Sequence, residues 1–255
     1  MTSEVSNNVL TTYVIGLADD ALILGQRLSE LCSRAPYLEE DLAISNVALD
    51  YIGRASLLYQ YAAKLIGGDT TEDTLAFNRN EREYTNLLIH ELPNGDFAFT
   101  LAKQYLLDVF NNHYLEALKG STDTELSAIA HKAIKESNYH LARSKPWIRQ
   151  LALGTEESNE RLVTALAEIM DYVNELFLMP AAEAELLGEG ISIDRTALKD
   201  TVVNEINELF KSVELQPLVL ERTIQGGREG IHTEHLGHML SDMQFLQRSY
   251  PGLKW

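Results

Sequence analysis

Carboxylate and imidazole side chains at fixed helical spacing are the usual protein ligands of a di-iron oxygenase site. Such a site takes a Glu from each of two helices and a Glu-x-x-His pair from each of two others, because residues i and i+3 share a helix face. The sequence contains one Glu-x-x-His, Glu229–His232, in a glycine-rich stretch that includes Gly230, and it contains no Asp-x-x-His. The spacing therefore predicts that this chain lacks a complete set of ligands for two irons.

Interior polar residues on three predicted helices nevertheless outline part of such a site: Asp50, Asp108, Ser137 and His140. Ser137 lies three residues before His140, at the position where a ligand-bearing helix carries a carboxylate. Arg54 follows Asp50 at the i,i+4 spacing of an ion pair, and we expect this pair to hold polar groups in the interior. The alternatives are a solvated stripe for Asp50 and Arg54, and a hydrogen-bonded core histidine for His140.

A second cluster holds three histidines within seven residues: His232, His235 and His238. His235 and His238 share a helix face, which favours a metal site or an interface, although a His-Glu-x-x-His motif is absent. The alternative is a helix start, with Thr233 as the capping residue and Glu234 stabilised by the helix dipole. The residue types fit both interpretations.

Long helices must position these residues, because glycine and proline are scarce (15 and 6) and cluster between segments of helical periodicity. The predicted helices span residues 8–33, 38–66, 97–119, 123–151, 157–178, 195–213 and 233–249, with a short helix within 69–91 and a short helix or loop at 181–190. We expect Pro146 to kink the fourth long helix or to end it early. Several long helices joined by short loops favour a bundle. The sequence therefore predicts a single all-α domain, residues 1–255.

Composition excludes several classes of function. The 255 residues include 38 acidic and 21 basic side chains, and the formal net charge is −17. Such a surface repels phosphates, so neither nucleic acid nor an anionic membrane is an expected partner. A single cysteine, Cys32, excludes an intrachain disulfide and fits a reducing compartment. The first residues lack the pattern of a signal peptide, and fully apolar stretches are only a few residues long. We therefore expect a cytoplasmic protein.

Five stretches spread over most of the chain carry a family resemblance. They are residues 40–55 (EDLAISNVALDYIGRA), 72–88 (EDTLAFNRNEREYTNLL), 91–98 (ELPNGDFA), 133–141 (AIKESNYHL) and 226–248 (GGREGIHTEHLGHMLSDMQFLQR). Each stretch alone is weak, but together and in this order they are specific. The chain resembles the C-type subunits of bacterial phenylacetyl-CoA 1,2-epoxidase (phenylacetate-CoA oxygenase), the PaaC family.

The resemblance implies a ferritin-like helical bundle with additional C-terminal helices, related to the catalytic A subunit of the same complex. It implies that the A subunit holds the di-iron centre and binds the coenzyme A thioester, whereas the C-type partner pairs with it as a non-catalytic structural subunit. A reductase subunit with FAD and iron–sulfur would bring electrons from NADPH for epoxidation of the phenylacetyl-CoA ring in aerobic phenylacetate catabolism. We therefore expect a hetero-oligomer with the A subunit and other epoxidase subunits, and no catalytic, cofactor-binding or metal-binding residue in this chain.

Two other functions remain as alternatives. The first is a divergent metal-dependent oxygenase with its own site, built from Asp50, Asp108, His140 and the terminal histidines. The second is a stand-alone helical binding protein. Metal content separates the first alternative from a structural subunit, and co-purification with a catalytic subunit separates the second.

Overall fold

The computed structural model describes the backbone of residues 2–253 and the side chains of residues 8–253. The described backbone is all-α and contains no strand, which confirms the predicted ferritin-like helical fold. The α-helices are α1 (Thr2–Ser29), α2 (Leu38–Ile66), α3 (Glu72–Phe77), α4 (Leu88–Glu91), α5 (Phe97–Leu118), α6 (Thr124–Leu153), α7 (Glu156–Val173), α8 (Ala181–Leu187), α9 (Arg195–Ser212), α10 (Glu234–Met243) and α11 (Phe245–Ser249). Short 3₁₀ helices occupy Glu81–Glu83, Asn174–Phe177 and Gly227–Glu229.

Most helix bounds match the sequence pattern, and the differences have local causes. Helix α1 ends at Ser29 rather than near residue 33; Ser33 has a positive φ of 67°, which a continuous helix does not contain. The predicted last helix is two helices, because Gln244 serves both as the C-cap of α10 and as the residue before α11. Within the predicted helix 157–178, the α-helix ends at Val173, and residues Asn174–Phe177 form a 3₁₀ helix.

Proline 146 does not end its helix. Helix α6 continues from Thr124 through Pro146 to Leu153. Proline cannot donate to the carbonyl of residue i−4, here Ala142, so one helical hydrogen bond is lost. Both Ala142 and Pro146 are exposed, so water can satisfy the freed carbonyl. The expected early end was therefore wrong, and the other expected effect, a kink at Pro146, stays a prediction.

The described chain divides into two compact units. Unit 1 comprises the described residues of Met1–Glu30, Ile44–Pro93 and Gln225–Trp255, and unit 2 comprises Leu31–Ala43 and Asn94–Ile224. Unit 1 contains α1, most of α2, the short helices α3 and α4, and the C-terminal helices α10 and α11. The prediction that residues 1–255 form a single domain stays a prediction.

Unit 2 is organised around α5, which packs against α6, α7 and α9. Every position of α5 from Leu101 to Phe110 is buried, so this helix lies in the core of the unit. Arg195 at the start of α9 forms a buried ion pair with Glu183 at 2.5 Å and lies over the ring of Tyr114. This pair fixes α8 and α9 against the core of unit 2.

One stretch of α1 is long and apolar enough, by composition, to cross a membrane. It spans Asn8–Ser29, and 67% of the 18-residue segment that meets this criterion is buried inside the structure. A largely buried apolar helix is typical of a protein core, since such a helix passes the same test of length and hydropathy.

Candidate functional site

The residues predicted to outline a dinuclear site in unit 2 lie inside α5 and α6. Asp108 on α5 is fully buried and accepts hydrogen bonds from Gln104 Nε2 at 2.5 Å and from Ser144 Oγ at 2.7 Å. Ser137 and His140 on α6 are each 1% exposed. The Ser137 hydroxyl has no hydrogen-bond partner within the described part of the chain. The sequence therefore identified these residues correctly as interior polar positions.

The other two predicted residues lie on α2 in unit 1. Asp50 is half-buried and Arg54 is 7% exposed. The Arg54 guanidinium lies over the ring of Tyr51, 4.9 Å from its centroid. Its Nε and Nη2 atoms have no hydrogen-bond partner among the described residues. These two nitrogens therefore do not support an ion pair with Asp50, and that pair stays a prediction.

The donor set of α5 and α6 does not fit a di-iron site. Both carboxylate oxygens of Asp108 already accept hydrogen bonds from neighbouring side chains. Ser137 offers a neutral hydroxyl where a ligand pair with His140 would need a carboxylate that neutralises the metal charge. Among the described residues, no group of three or more His, Cys, Asp or Glu side chains is placed to hold a metal ion.

A much larger buried polar network lies in unit 1, and it begins at two adjacent carboxylates of α1. Asp19 is fully buried and accepts hydrogen bonds from the Tyr59 hydroxyl at 2.5 Å, from the Thr85 backbone N–H at 2.7 Å, and from the Arg79 guanidinium. Arg79 in turn lies over the ring of Tyr84. Asp19 thus joins α1 to α2 and to the loop between α3 and α4.

The two buried phenols of this network stay neutral. Burial, reinforced by the negative charge of Asp19, raises the pKa of Tyr59 well above its usual value. Burial also raises the pKa of Tyr84 to about 12, although the positive charge of Arg79 opposes this shift. Both hydroxyls therefore remain protonated and donate, Tyr59 to Asp19 and Tyr84 to the Ala76 carbonyl.

The neighbouring carboxylate, Asp20, binds a residue from the C-terminal part of the chain. Arg228 forms a two-pronged ion pair with Asp20, with nitrogen–oxygen distances of 3.0 and 2.5 Å. The Arg228 guanidinium also donates to the carbonyls of Gly16 and Thr85. Asp20 accepts a further bond from the Leu87 backbone N–H. A bidentate pair of this kind fixes orientation as well as distance.

The third carboxylate of the network is Glu91, at the end of α4. It is fully buried and accepts hydrogen bonds from His232 Nδ1 at 2.9 Å, from the Thr233 backbone N–H at 2.6 Å and from Asn86 Nδ2 at 2.9 Å. Arg27 on α1 donates to the Glu91 carbonyl and to the His235 carbonyl. Glu91 therefore holds the start of α10, where Thr233 caps the helix as one interpretation of the sequence predicted.

The geometry around His232 requires a proton on both ring nitrogens. Nδ1 faces the Glu91 carboxylate, and Nε2 lies 2.9 Å from the Tyr84 carbonyl, so both partners are acceptors. Burial alone would lower the pKa of His232. The hydrogen bonds to Glu91 and Tyr84 and the negative charges of Glu91 and Glu81 outweigh burial, and the pKa is raised. The raised pKa and the two acceptor contacts favour the imidazolium form, in which His232 pairs with Glu91 and has no lone pair for a metal.

The raised pKa of His232 predicts that the free energy of unfolding depends on pH. In an unfolded chain the histidine pKa is about 6.5. Because the folded pKa lies higher, the stabilisation is fully present below about pH 6.5 and is lost as the pH rises through the folded value. We expect His232→Gln to flatten this decline in urea titrations at a series of pH values. His238→Gln, at an exposed histidine of α10, should retain the parental slope; equal slopes in both variants would contradict the assignment.

These contacts fasten one continuous segment, residues 225–253, which we call the C-terminal strap. Two glycines let the strap approach the neighbouring backbone. A Cβ added at Gly227 would lie closer than 3.0 Å to the Asn86 carbonyl oxygen, and a Cβ added at Gly230 would lie closer than 3.0 Å to the Arg82 carbonyl oxygen. Gly230 also has a left-handed φ of 70°. Further along, the buried Gln244 donates to the Arg79 carbonyl and to the Tyr84 hydroxyl.

The network is suited to holding structure rather than to chemistry on a substrate. All six carboxylate oxygens of Asp19, Asp20 and Glu91 accept hydrogen bonds from protein groups. A metal or a substrate would have to displace these donors, and a buried carboxylate that loses its donors is strongly destabilised. The arrangement therefore anchors the strap to α1, to α4 and to the loop between α3 and α4.

Sequence reasoning missed most of this network. It did not pair Asp20 with Arg228, and it did not single out Asp19, Arg79 or Glu91. The Glu229–His232 spacing drew attention to the correct histidine with the wrong carboxylate, because His232 pairs with Glu91, 141 residues away. The consecutive residues Gly226, Gly227 and Arg228 were a usable signal, because glycine allows two backbone segments to approach closely and Arg228 supplies a positive charge at that point.

Comparison with known proteins identifies the family of this chain. The C subunit of the 1,2-phenylacetyl-CoA epoxidase of Escherichia coli (strain K12) is 44% identical over 252 residues, which cover 97% of this chain and 100% of that protein. The family model described as phenylacetic acid catabolic protein matches residues 1–255. The chain therefore belongs to the phenylacetic acid catabolic protein family.

Proposed function

We propose that the chain is the C-type member of a 1,2-phenylacetyl-CoA epoxidase and acts as a non-catalytic structural subunit. In this role it pairs with the catalytic A subunit in the cytoplasm and supports epoxidation of phenylacetyl-CoA during phenylacetate catabolism. The observation that carries the proposal is the similarity to the E. coli protein over nearly the whole of both chains. The similarity extends over the residues of both compact units, so neither unit is an addition foreign to that protein.

The donor groups of the chain support the non-catalytic part of the proposal. Asp108 is hydrogen-bonded through both oxygens, Ser137 stands three residues before His140 without a carboxylate, and His232 is paired with Glu91. Under the proposal the di-iron centre belongs to the A subunit, and NADPH, FAD and iron–sulfur belong to a reductase subunit. This chain contributes binding surface and a rigid helical framework.

Rigidity is what a structural subunit must supply. Catalytic ligands work only when the helices that carry them are held within a fraction of an ångström. A partner whose helix faces are already ordered loses less conformational entropy when it binds those helices. The network around Asp19, Asp20 and Glu91 supplies such preorganisation in unit 1, because it links helices that are far apart in sequence through buried charged groups.

Reconstitution from separate subunits tests the proposal. We expect the purified chain to contain substoichiometric iron by elemental analysis and to turn over no phenylacetyl-CoA when supplied with the reductase. Mixed with the A subunit, it should co-elute in gel filtration as a stable complex. An obligate interface buries about 2,000 Å² or more, and such complexes survive dilution during chromatography. Stoichiometric iron or turnover by the chain alone would contradict the non-catalytic role, and separate elution would contradict the pairing.

A further inference from the structure

A cavity of about 730 Å³ lies in unit 1, beside α3 and the end of the C-terminal strap. Its lining residues come from two segments of the chain, 71–78 and 247–253. We call it the strap cavity. Small-molecule sites in proteins usually have volumes of about 300–1,000 Å³. The strap cavity therefore has room for a ligand of the size of an amino acid.

Arg248 supplies the strap cavity with a cation whose orientation is already fixed. Its Nε donates to the Gln244 side-chain oxygen at 2.7 Å, and its Nη2 donates to the Arg79 carbonyl at 3.1 Å. Within the described part of the chain, Arg248 bonds only neutral oxygens, and its Nη1 donates to none of them. A guanidinium held in this way can bind the carboxylate of a ligand through the remaining nitrogen.

Asp73 supplies the opposite charge from the other segment of the lining. Its carboxylate is exposed and forms no ion pair with Arg248 or with any other described residue. The neighbouring hydroxyls of Thr71 and Thr74 each accept the backbone N–H of the other residue, so they are already used within the chain. A cation and an anion that line one cavity without pairing favour a ligand that carries both charges.

Gln247 adds an acceptor that lacks a donor. The residue is half-buried, and its Oε1 atom is buried without a hydrogen-bond partner among residues 8–253. A buried acceptor without a donor is destabilised, so rotation of this amide towards an N–H group in the cavity would be favourable. An ammonium group has three N–H donors, and it can serve Asp73 and Gln247 together.

The last residues of the lining give the cavity an apolar part. They are Tyr250, Pro251 and Leu253, and the side chains of Tyr250 and Leu253 are 55% and 59% exposed. Covering apolar surface of this kind with an apolar group of a ligand is favourable, and a ring on the Tyr250 ring adds the attraction between aromatic groups. The cavity thus combines two opposite charges with an apolar wall.

We propose that the strap cavity binds a small zwitterion with an apolar body, of which an aromatic α-amino acid is the simplest example. The ligand carboxylate binds Arg248, and its ammonium group binds Asp73 and Gln247. The ring of the ligand packs against Tyr250 and Leu253. Because the two lining segments are distant in sequence, a bound ligand joins the end of the strap to α3 and stabilises it there.

Calorimetric titration of the full-length chain with three probes tests the proposal. The probes are L-phenylalanine, phenylacetate, which lacks the ammonium group, and 2-phenylethylamine, which lacks the carboxylate. We expect L-phenylalanine to bind at least about tenfold more tightly than either, because it alone engages both charges. Asp73→Asn should remove its advantage over phenylacetate, and Arg248→Gln its advantage over 2-phenylethylamine. The matched control Asp69→Asn, at an exposed aspartate outside the cavity lining, should keep both preferences.

Hydrogen exchange locates the bound ligand without relying on a variant. Saturating L-phenylalanine should slow exchange in residues 247–253 and leave α5 unchanged. The proposal is overturned if L-phenylalanine does not bind at about 10 mM, if phenylacetate binds equally well, if Asp73→Asn keeps the parental preference, or if residues 247–253 gain no protection. Each of these results leaves the proposed function untouched, because the cavity belongs to this chain and its test involves no other subunit.

Discussion

Replacing Asp19 with alanine is expected to lower the free energy of unfolding by about 3–5 kcal/mol, the usual result of removing one partner from a buried ion pair. Asp19 is fully buried, and its two oxygens receive donors from Tyr59, Arg79 and the Thr85 backbone. Alanine would leave the Arg79 charge beneath the strap without its carboxylate. Urea unfolding followed by circular dichroism measures the loss, and the thermal midpoint should fall by roughly 10 °C.

The matched control for this variant is Asp69→Ala. Asp69 lies in the loop after α2 and is exposed, so its removal should change the free energy of unfolding by less than about 0.5 kcal/mol. If Asp19→Ala were as mild as Asp69→Ala, the network around Asp19 would not be a source of stability in unit 1.

The second large effect is expected from a single added methyl group in Gly227→Ala. The new Cβ would lie closer than 3.0 Å to the backbone oxygen of Asn86, and backbone cannot rotate away as a flexible side chain can. The adjacent Arg228 would then lose its alignment with Asp20. Overpacking combined with a weakened buried pair predicts a loss of at least about 3 kcal/mol.

Hydrogen exchange shows which part of the chain is destabilised in Gly227→Ala. Hydrogen exchange in Gly227→Ala should accelerate in the strap, residues 225–253, and in α4, while α5 and α6 keep their protection, because local openings follow cooperative units. Gly53→Ala is the control: a Cβ there meets nothing within 4 Å, and alanine within α2 should raise stability by about 0.5–1 kcal/mol. Uniform acceleration throughout the chain would show that the strap is not a separately anchored element.

The two variants also connect stability to the proposed assembly. Gln244 and Arg248 hold the end of the C-terminal strap through Arg79 and Tyr84, which belong to the same network as Asp19. Under the proposed function, releasing the strap should therefore reduce subunit binding even though both substitutions are at buried positions. Under the proposed function, in which the chemistry lies in another chain, a buried network of this chain thereby influences the whole complex.

Local rules explain the parts of the structure that the sequence predicted well. Helix α2 was predicted at residues 38–66, the span found in the structure. The N-cap role of Thr233 and the interior location of Asp108, Ser137 and His140 also agree. Each of these features depends on neighbours three or four residues apart, and helical periodicity encodes those neighbours directly.

The sequence by itself determined the all-α class, the acidic surface, the missing Glu-x-x-His pair and the family resemblance, because these depend on residue types and short spacings. Only the tertiary structure decided which charges meet: Asp20 with Arg228 across 208 residues, and Glu91 with His232 across 141. No local spacing encodes such pairs. They form because folding removes water from these side chains. A buried charge is destabilised unless the packing of the chain places an opposite charge or a hydrogen-bonding group beside it.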